Sequence, residues 1–143
     1  MNKSIEMGQM FLSCLKELVS SKSAYKDLEI GFFEPVKYGK DFYFSLVEMG
    51  TASAVSIKIP ISKTDAMCKA LAQEYVIGLF KKLEIAIKTP NPENVEPKEP
   101  RELHLKAGIY ISRYVRMEKA GKVKVHIYHW APNLMGGMRM KVS

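Results

Sequence analysis

Residues 109–130 read Ile109-Tyr110-Ile111-Ser112-Arg113-Tyr114-Val115-Arg116-Met117-Glu118-Lys119-Ala120-Gly121-Lys122-Val123-Lys124-Val125-His126-Ile127-Tyr128-His129-Trp130. Apolar residues fall on odd positions on both sides of the glycine: Ile109, Ile111, Val115 and Met117 before it, Val123, Val125 and Ile127 after it. A period of two marks a strand with one dry face. The stretch therefore predicts a β-hairpin of strands 109–117 and 122–130. For odd residues to lie beside odd residues the connecting loop needs an odd length. A three-residue loop, Lys119-Ala120-Gly121 with Gly121 left-handed, meets that condition. In this register Tyr110 faces Trp130, Ser112 faces Tyr128, Tyr114 faces His126, and Arg116 faces Lys124.

The even face then gathers three tyrosines, the only tryptophan, a histidine and several cations. Like charges opposed across a sheet are destabilising, and a bound anion reverses the sign for Arg116 and Lys124. Unstacked bases stack on aromatic rings while phosphates meet Lys and Arg, so the face suits single-stranded DNA or RNA. The expected stacking residues are Tyr110, Tyr114, Tyr128 and Trp130. Arg116, Lys122 and Lys124 are the expected phosphate partners, and His126 belongs to the same binding face. Arg139 and Lys141 join them if Met138, Met140 and Val142 of a last strand turn to the core. A second, smaller candidate is the loop tip Lys37, Tyr38 and Lys40, an aromatic between two cations. The competing reading packs the rings beneath a helix and turns the odd face outward. The cations on the even side argue for the odd side as the dry one. Arg113 interrupts that side and is expected to snorkel toward an edge.

Charge supports the same region. Residues 1–100 contain 13 lysines and 13 acidic residues, whereas residues 101–143 contain nine basic residues against Glu102 and Glu118. All of the net charge of +7, and every arginine, lies in that last part. Such asymmetry points to a polyanionic partner, a nucleic acid before an acidic protein or a membrane surface.

Working outward, Thr89–Pro100 holds four prolines and three glutamates and reads as a loop or linker. Residues 4–20 carry Met7, Met10, Phe11, Cys14, Leu15, Leu18 and Val19 at helical spacing. Residues 28–34, 42–49 and 53–59 read as strands of an antiparallel meander, with residues 35–41 as a loop. Ser62-Lys63-Thr64-Asp65 resembles a capping box, and the predicted helix runs from there to about Lys82 on a stripe of Met67, Leu71, Tyr75 and Leu79, widened by Ala66, Ala70 and Ile77. Leu83–Ile87 fits either helix or strand.

With 143 residues, 47% of them hydrophobic, the chain fits one α+β domain spanning 1–143. The expected architecture is an antiparallel sheet, two packed helices and the basic-aromatic hairpin of the β-rich part, 101–143. No apolar run is long enough to span a membrane and no secretory signal is evident. Cys14 and Cys68 suggest no disulfide framework. An intracellular home is expected. There is no phosphate-binding glycine loop, nucleophile elbow or metal-ligand spacing. His126 and His129, three apart on a strand, point to opposite faces and make a poor metal pair. The expectation is a non-enzyme without metal or cofactor.

Ser56-Ile57-Lys58-Ile59-Pro60-Ile61-Ser62 leads from strands into a capped helix, and over residues 28–82 the chain resembles the Whirly and transcriptional-coactivator p15 type of single-stranded-DNA-binding fold. The Lys-Gly-Lys-Ala motif of plant Whirly proteins is absent. The resemblance implies a dimer that binds extended single strands along a sheet, and carries over no site residue. The expected function is thus single-stranded nucleic-acid binding with low sequence specificity. The alternative is a non-catalytic interaction or oligomerisation module, such as a small viral accessory or inhibitor protein, docking an acidic partner through the same hairpin.

Overall fold

Helix α1 (Lys3–Ser20) buries Met7, Phe11, Cys14, Leu15 and Val19 along one stripe. The Ser20 and Ser21 hydroxyls donate to the carbonyls of Glu17 and Leu18 and close its last turn. The computed structural model describes residues 3–21, 27–88 and 110–132. The Thr89–Pro100 segment, residues 101–109 and the final segment 138–142 lie outside them.

Three strands follow: β1 (Glu29–Tyr38), β2 (Asp41–Glu48) and β3 (Ser53–Pro60). They form the expected antiparallel meander. The predicted loop at 35–41 shrinks to Gly39-Lys40, with Gly39 at φ 67°. Pro35 does not end β1, because it falls in a register shift between Phe33 and Val36, where no regular ladder bond is lost. The turn from β2 to β3 is organised by Glu48. Its carboxylate accepts hydrogen bonds from the Gly50 and Thr51 amides and the Thr51 hydroxyl, at 2.8, 2.7 and 2.7 Å. Burial acts to raise the Glu48 pKa, but these bonds to the ionised form prevail and hold it below the ordinary value.

The predicted helix is split into α2 (Ile61–Asp65) and α3 (Lys69–Lys88). Pro60 occupies the N-cap position without a side-chain cap, and the Thr64 hydroxyl donates back to Ile61 O at 2.7 Å. The capping-box expectation fails because the helix starts earlier, with Pro60 as N-cap: Ser62 already lies within α2, and Asp65 at its end pairs with Lys3 of α1. Helix α3 includes Leu83–Ile87 and buries Ala72, Val76, Leu79, Phe80, Leu83 and Ala86. Ala66, Ala70 and Ile77, expected to widen the stripe, are exposed. The larger apolar contacts of Val76, Phe80 and Leu83 set the buried face.

Strands β4 (Tyr110–Ala120) and β5 (Val123–Pro132) complete a five-stranded sheet in the order β3-β2-β1-β5-β4. The fold is α+β, but the sheet is mixed: β1 and β5 run parallel. The all-antiparallel, two-helix expectation is corrected on both counts. Alternation identifies a strand and its dry face, yet it encodes neither the neighbour nor the direction. Here β4 takes the outer position and its hairpin partner is inserted beside β1.

Helices α1 and α3 cover one face of the sheet. Phe11, Leu15, Val76, Phe80 and Leu83 meet Ile30, Phe32, Phe44, Leu46, Val125 and Ile127 in one core. Burial of each large apolar side chain contributes about 1.5–3 kcal/mol. Among the described residues no helix is long and apolar enough to cross a membrane.

Candidate functional site

The β4–β5 hairpin turns through two residues. Ala120 pairs with Val123, leaving Gly121-Lys122 as the turn. Gly121 has φ 63° and Lys122 is not left-handed, the pattern of a type II′ turn with glycine first. The β1–β2 hairpin uses the same Gly-Lys solution at Gly39-Lys40.

The expected three-residue loop and its register are therefore corrected. Near the turn, even residues of β4 lie beside odd residues of β5: Arg116 opposite Ile127 and Glu118 opposite Val125. A register shift between Tyr114 and Arg116 leaves Val115 as the extra residue and exchanges the faces. Beyond it Tyr114 pairs with Tyr128, Ser112 with Trp130 and Tyr110 with Pro132. A bulge thus absorbs the parity conflict that the three-residue loop was invoked to avoid.

On β5, Val125 and Ile127 are 0% and 2% exposed beneath the helices. Their neighbours on the opposite side, Lys124, His126, Tyr128 and Trp130, are exposed or half-buried. That side holds a connected group of rings. Tyr128 stacks on Phe33 with centroids 4.6 Å apart and planes 7° apart. Trp130 approaches the same Phe33 at 5.8 Å. Tyr114 meets Tyr128 edge-on at 5.5 Å and lies 6.1 Å from the His126 ring. Phe33 takes one face of Tyr128, so Tyr114, 52% exposed, is the more available platform.

The cations distribute less simply. Lys124 is on the ring-bearing side, opposite Lys119 on β4 and Glu29 on β1. Its Nζ is 3.5 Å from Glu29 Oε1, and His126 Nε2 is 3.7 Å from Glu29 Oε2. Lys122 is exposed in the turn. Arg116 is not on this face. Its Nε donates to Glu118 Oε2 at 2.6 Å, and Lys16 of α1 donates to Glu118 Oε1 at 2.6 Å. Hydrogen bonds from Lys16 first, then Arg116, hold the Glu118 carboxyl below its ordinary value. The expected opposition of Arg116 and Lys124 is replaced by Lys119 and Lys124. Arg113 is exposed, opposite His129 on the edge strand.

Of the second cluster, Lys37 lies on the helix side, where it lines a recess with Lys3, Ser4, Phe42 and Ile61. Lys40 is exposed in its turn. Tyr38 and Tyr110 enter the sheet through their backbones, and their side chains lie outside the described residues, as do Arg139 and Lys141. The structure brings together Tyr114, Lys124, His126, Tyr128 and Trp130, and separates Arg116 and Lys37 from them.

Sequence reasoning missed Phe33, Glu29 and Lys119. Only the parallel pairing of β1 with β5 places Phe33 beside Tyr128, and no local pattern announces it. Lys119 falls in the expected three-residue loop, whereas the observed two-residue turn begins at Gly121 and leaves Lys119 within β4. His129 does lie opposite to His126: its Nδ1 is 2.8 Å from Oε2 of Glu34, a close polar contact without well-directed hydrogen-bond geometry. Glu34 is only 7% exposed. Burial pushes its carboxyl above the ordinary value, offset in part by His129 and the Trp130 amide.

No protein-family model, curated protein or solved structure matches the chain.

Proposed function

We propose that the protein binds single-stranded nucleic acid, without catalysis and with low sequence specificity, on the side of the sheet away from the helices. The observation that carries this reading is the ring group Phe33, Tyr114, Tyr128 and Trp130, linked by centroid separations of 4.6, 5.5 and 5.8 Å and flanked by His126 and the Lys119–Lys124 pair. Tyr114 provides the exposed stacking surface and Trp130 the second. Phe33 and Tyr128 support them from within the sheet. Base stacking on such rings is worth about 1–3 kcal/mol per base and tolerates any sequence. Lys119, Lys122 and Lys124 supply phosphate neutralisation near the hairpin turn.

The test is a fluorescence titration with labelled oligothymidylate and oligoadenylate at several salt concentrations. Binding weakens linearly in logarithmic coordinates, with a slope of about −0.7 per neutralised phosphate of a single strand. Salt-independent association would overturn the phosphate assignment. Trp130→Ala weakens binding while the chain remains folded; an unfolded variant would make this ring a packing residue.

A second reading rests on edge strand β4, where Tyr114, Val115 and Met117 are all exposed. An exposed edge with apolar side chains can pair with a second strand. In that reading the hairpin is a dimerisation or protein-docking element. A change of oligomeric state on adding oligonucleotide, seen by size-exclusion chromatography with light scattering, separates a dimer that binds nucleic acid from one that only self-associates.

A further inference from the structure

We infer that Glu29 is a resident competitor for the phosphate site, holding Lys124 and His126 until a nucleotide phosphate displaces it. This rests on the nucleic-acid reading above and adds a residue that tunes it. Glu29, Lys124 and Lys119 lie in one row across β1, β5 and β4, because Glu29 pairs with Lys124 and Lys124 with Lys119. The two directly opposed ammonium groups repel one another. A carboxylate beside them offsets that repulsion, as would a phosphate. Glu29 Oε1 lies 3.5 Å from Lys124 Nζ, and Glu29 Oε2 lies 3.7 Å from His126 Nε2. The second distance exceeds a hydrogen bond, and His126 Nε2 is buried without a hydrogen-bond partner. That nitrogen faces the Glu29 carboxylate and is covered in the free protein, so a ligand reaches it only after Glu29 has moved aside.

The grip of Glu29 is weak enough to be displaced. Both side chains of the Glu29–Lys124 pair are more than a third exposed, at 41% and 47%. Exposed pairs of this kind typically contribute about 0.2–1 kcal/mol, which corresponds to a change in binding constant between about 1.4-fold and fivefold. Glu29 therefore sets affinity and salt response without closing the site. When a phosphate displaces a carboxylate from Lys124, no salt counterion is released at that position. With Glu29 neutralised, the counterion is released, and the salt slope steepens by about 0.7.

The experiment measures fluorescent oligothymidylate binding to wild type, Glu29→Gln, Lys124→Gln, the double variant, and Glu74→Gln as a charge control on exposed α3. Thermal melts confirm that each chain is folded. The expected result is that Glu29→Gln binds about two- to fivefold tighter at low salt. Its slope is steeper by about 0.7 than that of wild type. Both gains vanish in the Lys124→Gln background and are absent in Glu74→Gln. If wild type binds but Glu29→Gln gains nothing, or gains equally without Lys124, the competitor role is overturned and the binding face stands. If neither wild type nor Glu29→Gln binds, the binding face and the competitor fall together. If only Glu29→Gln binds, both are supported.

Discussion

The two sides of strand β5 are built from alternate residues of one short segment, yet they do different work. Val123, Val125 and Ile127 are sealed beneath α1 and α3, where volume and shape decide stability. Lys124, His126, Tyr128 and Trp130 form a side on which rings contact rings and one carboxylate meets two basic groups. Packing on the first side holds the second flat and in register, so the ring side need not contribute much to folding. The difference teaches that the strand's chemistry is free to vary on the side that its other half does not need.

The largest effect expected from this contrast is on stability. Ile127→Ala removes a fully buried side chain and should cost about 2–5 kcal/mol by chemical denaturation. Its folded fraction should bind oligonucleotide as wild type does. A matched loss of affinity in the folded protein would show that the two sides are coupled. On the ring side, Tyr114→Ala should reverse the pattern: binding weaker by about 1–3 kcal/mol in the titration, with a stability change within about 0.5 kcal/mol. A large stability loss instead would make Tyr114 a packing residue.

The two Gly-Lys turns sharpen the comparison further. Both glycines are left-handed, so alanine at either position is strained, by about 1 kcal/mol. A Cβ at Gly39 would meet nothing within 4 Å, whereas one at Gly121 would lie 3.1 Å from the Ser20 backbone. Gly121→Ala should therefore lower the melting temperature more than Gly39→Ala. Equal losses would mean that the end of α1 yields without cost.

The smallest effect concerns Glu34, whose carboxyl is raised chiefly by burial. A carboxyl with a raised folded value favours the native state below its unfolded pKa. That contribution is lost as pH rises through the folded value. Glu34→Gln removes this dependence, so its melting temperature should gain on that of wild type as pH rises from about 4. A constant difference across the range would show that Glu34 titrates alike in both states.

Much of the hairpin was legible from alternation alone. Val125 and Ile127 read as the dry side because the alternative side, though rich in rings, also carries Lys122 and Lys124. Helix α1 was legible for the same reason, at a period of 3.6. The register was not, because parity offered two solutions: an odd loop, or an even loop with a bulge. The type II′ turn at Gly121-Lys122 took the second and carried Arg116 to the helix side. The widened stripe was misjudged because Ala66 falls between α2 and α3, and Ala70 carries too little apolar surface to dictate a face.

By itself the amino-acid sequence determined which residues of β5 are dry, where glycine permits a turn, and that the charge is concentrated near the carboxyl-terminal hairpin. These are local properties, set by side-chain period and backbone sterics. On β4, where Val115 and Met117 were expected to be dry, the bulge leaves both exposed. Tertiary structure alone decided that β5 lies parallel to β1, that Phe33 therefore stacks on Tyr128, and that Glu29 faces Lys124. Each of these joins residues more than ninety positions apart. Hydrogen-bonding edges are chemically alike along every strand, so only the packing of the whole sheet against its helices selects which edges meet.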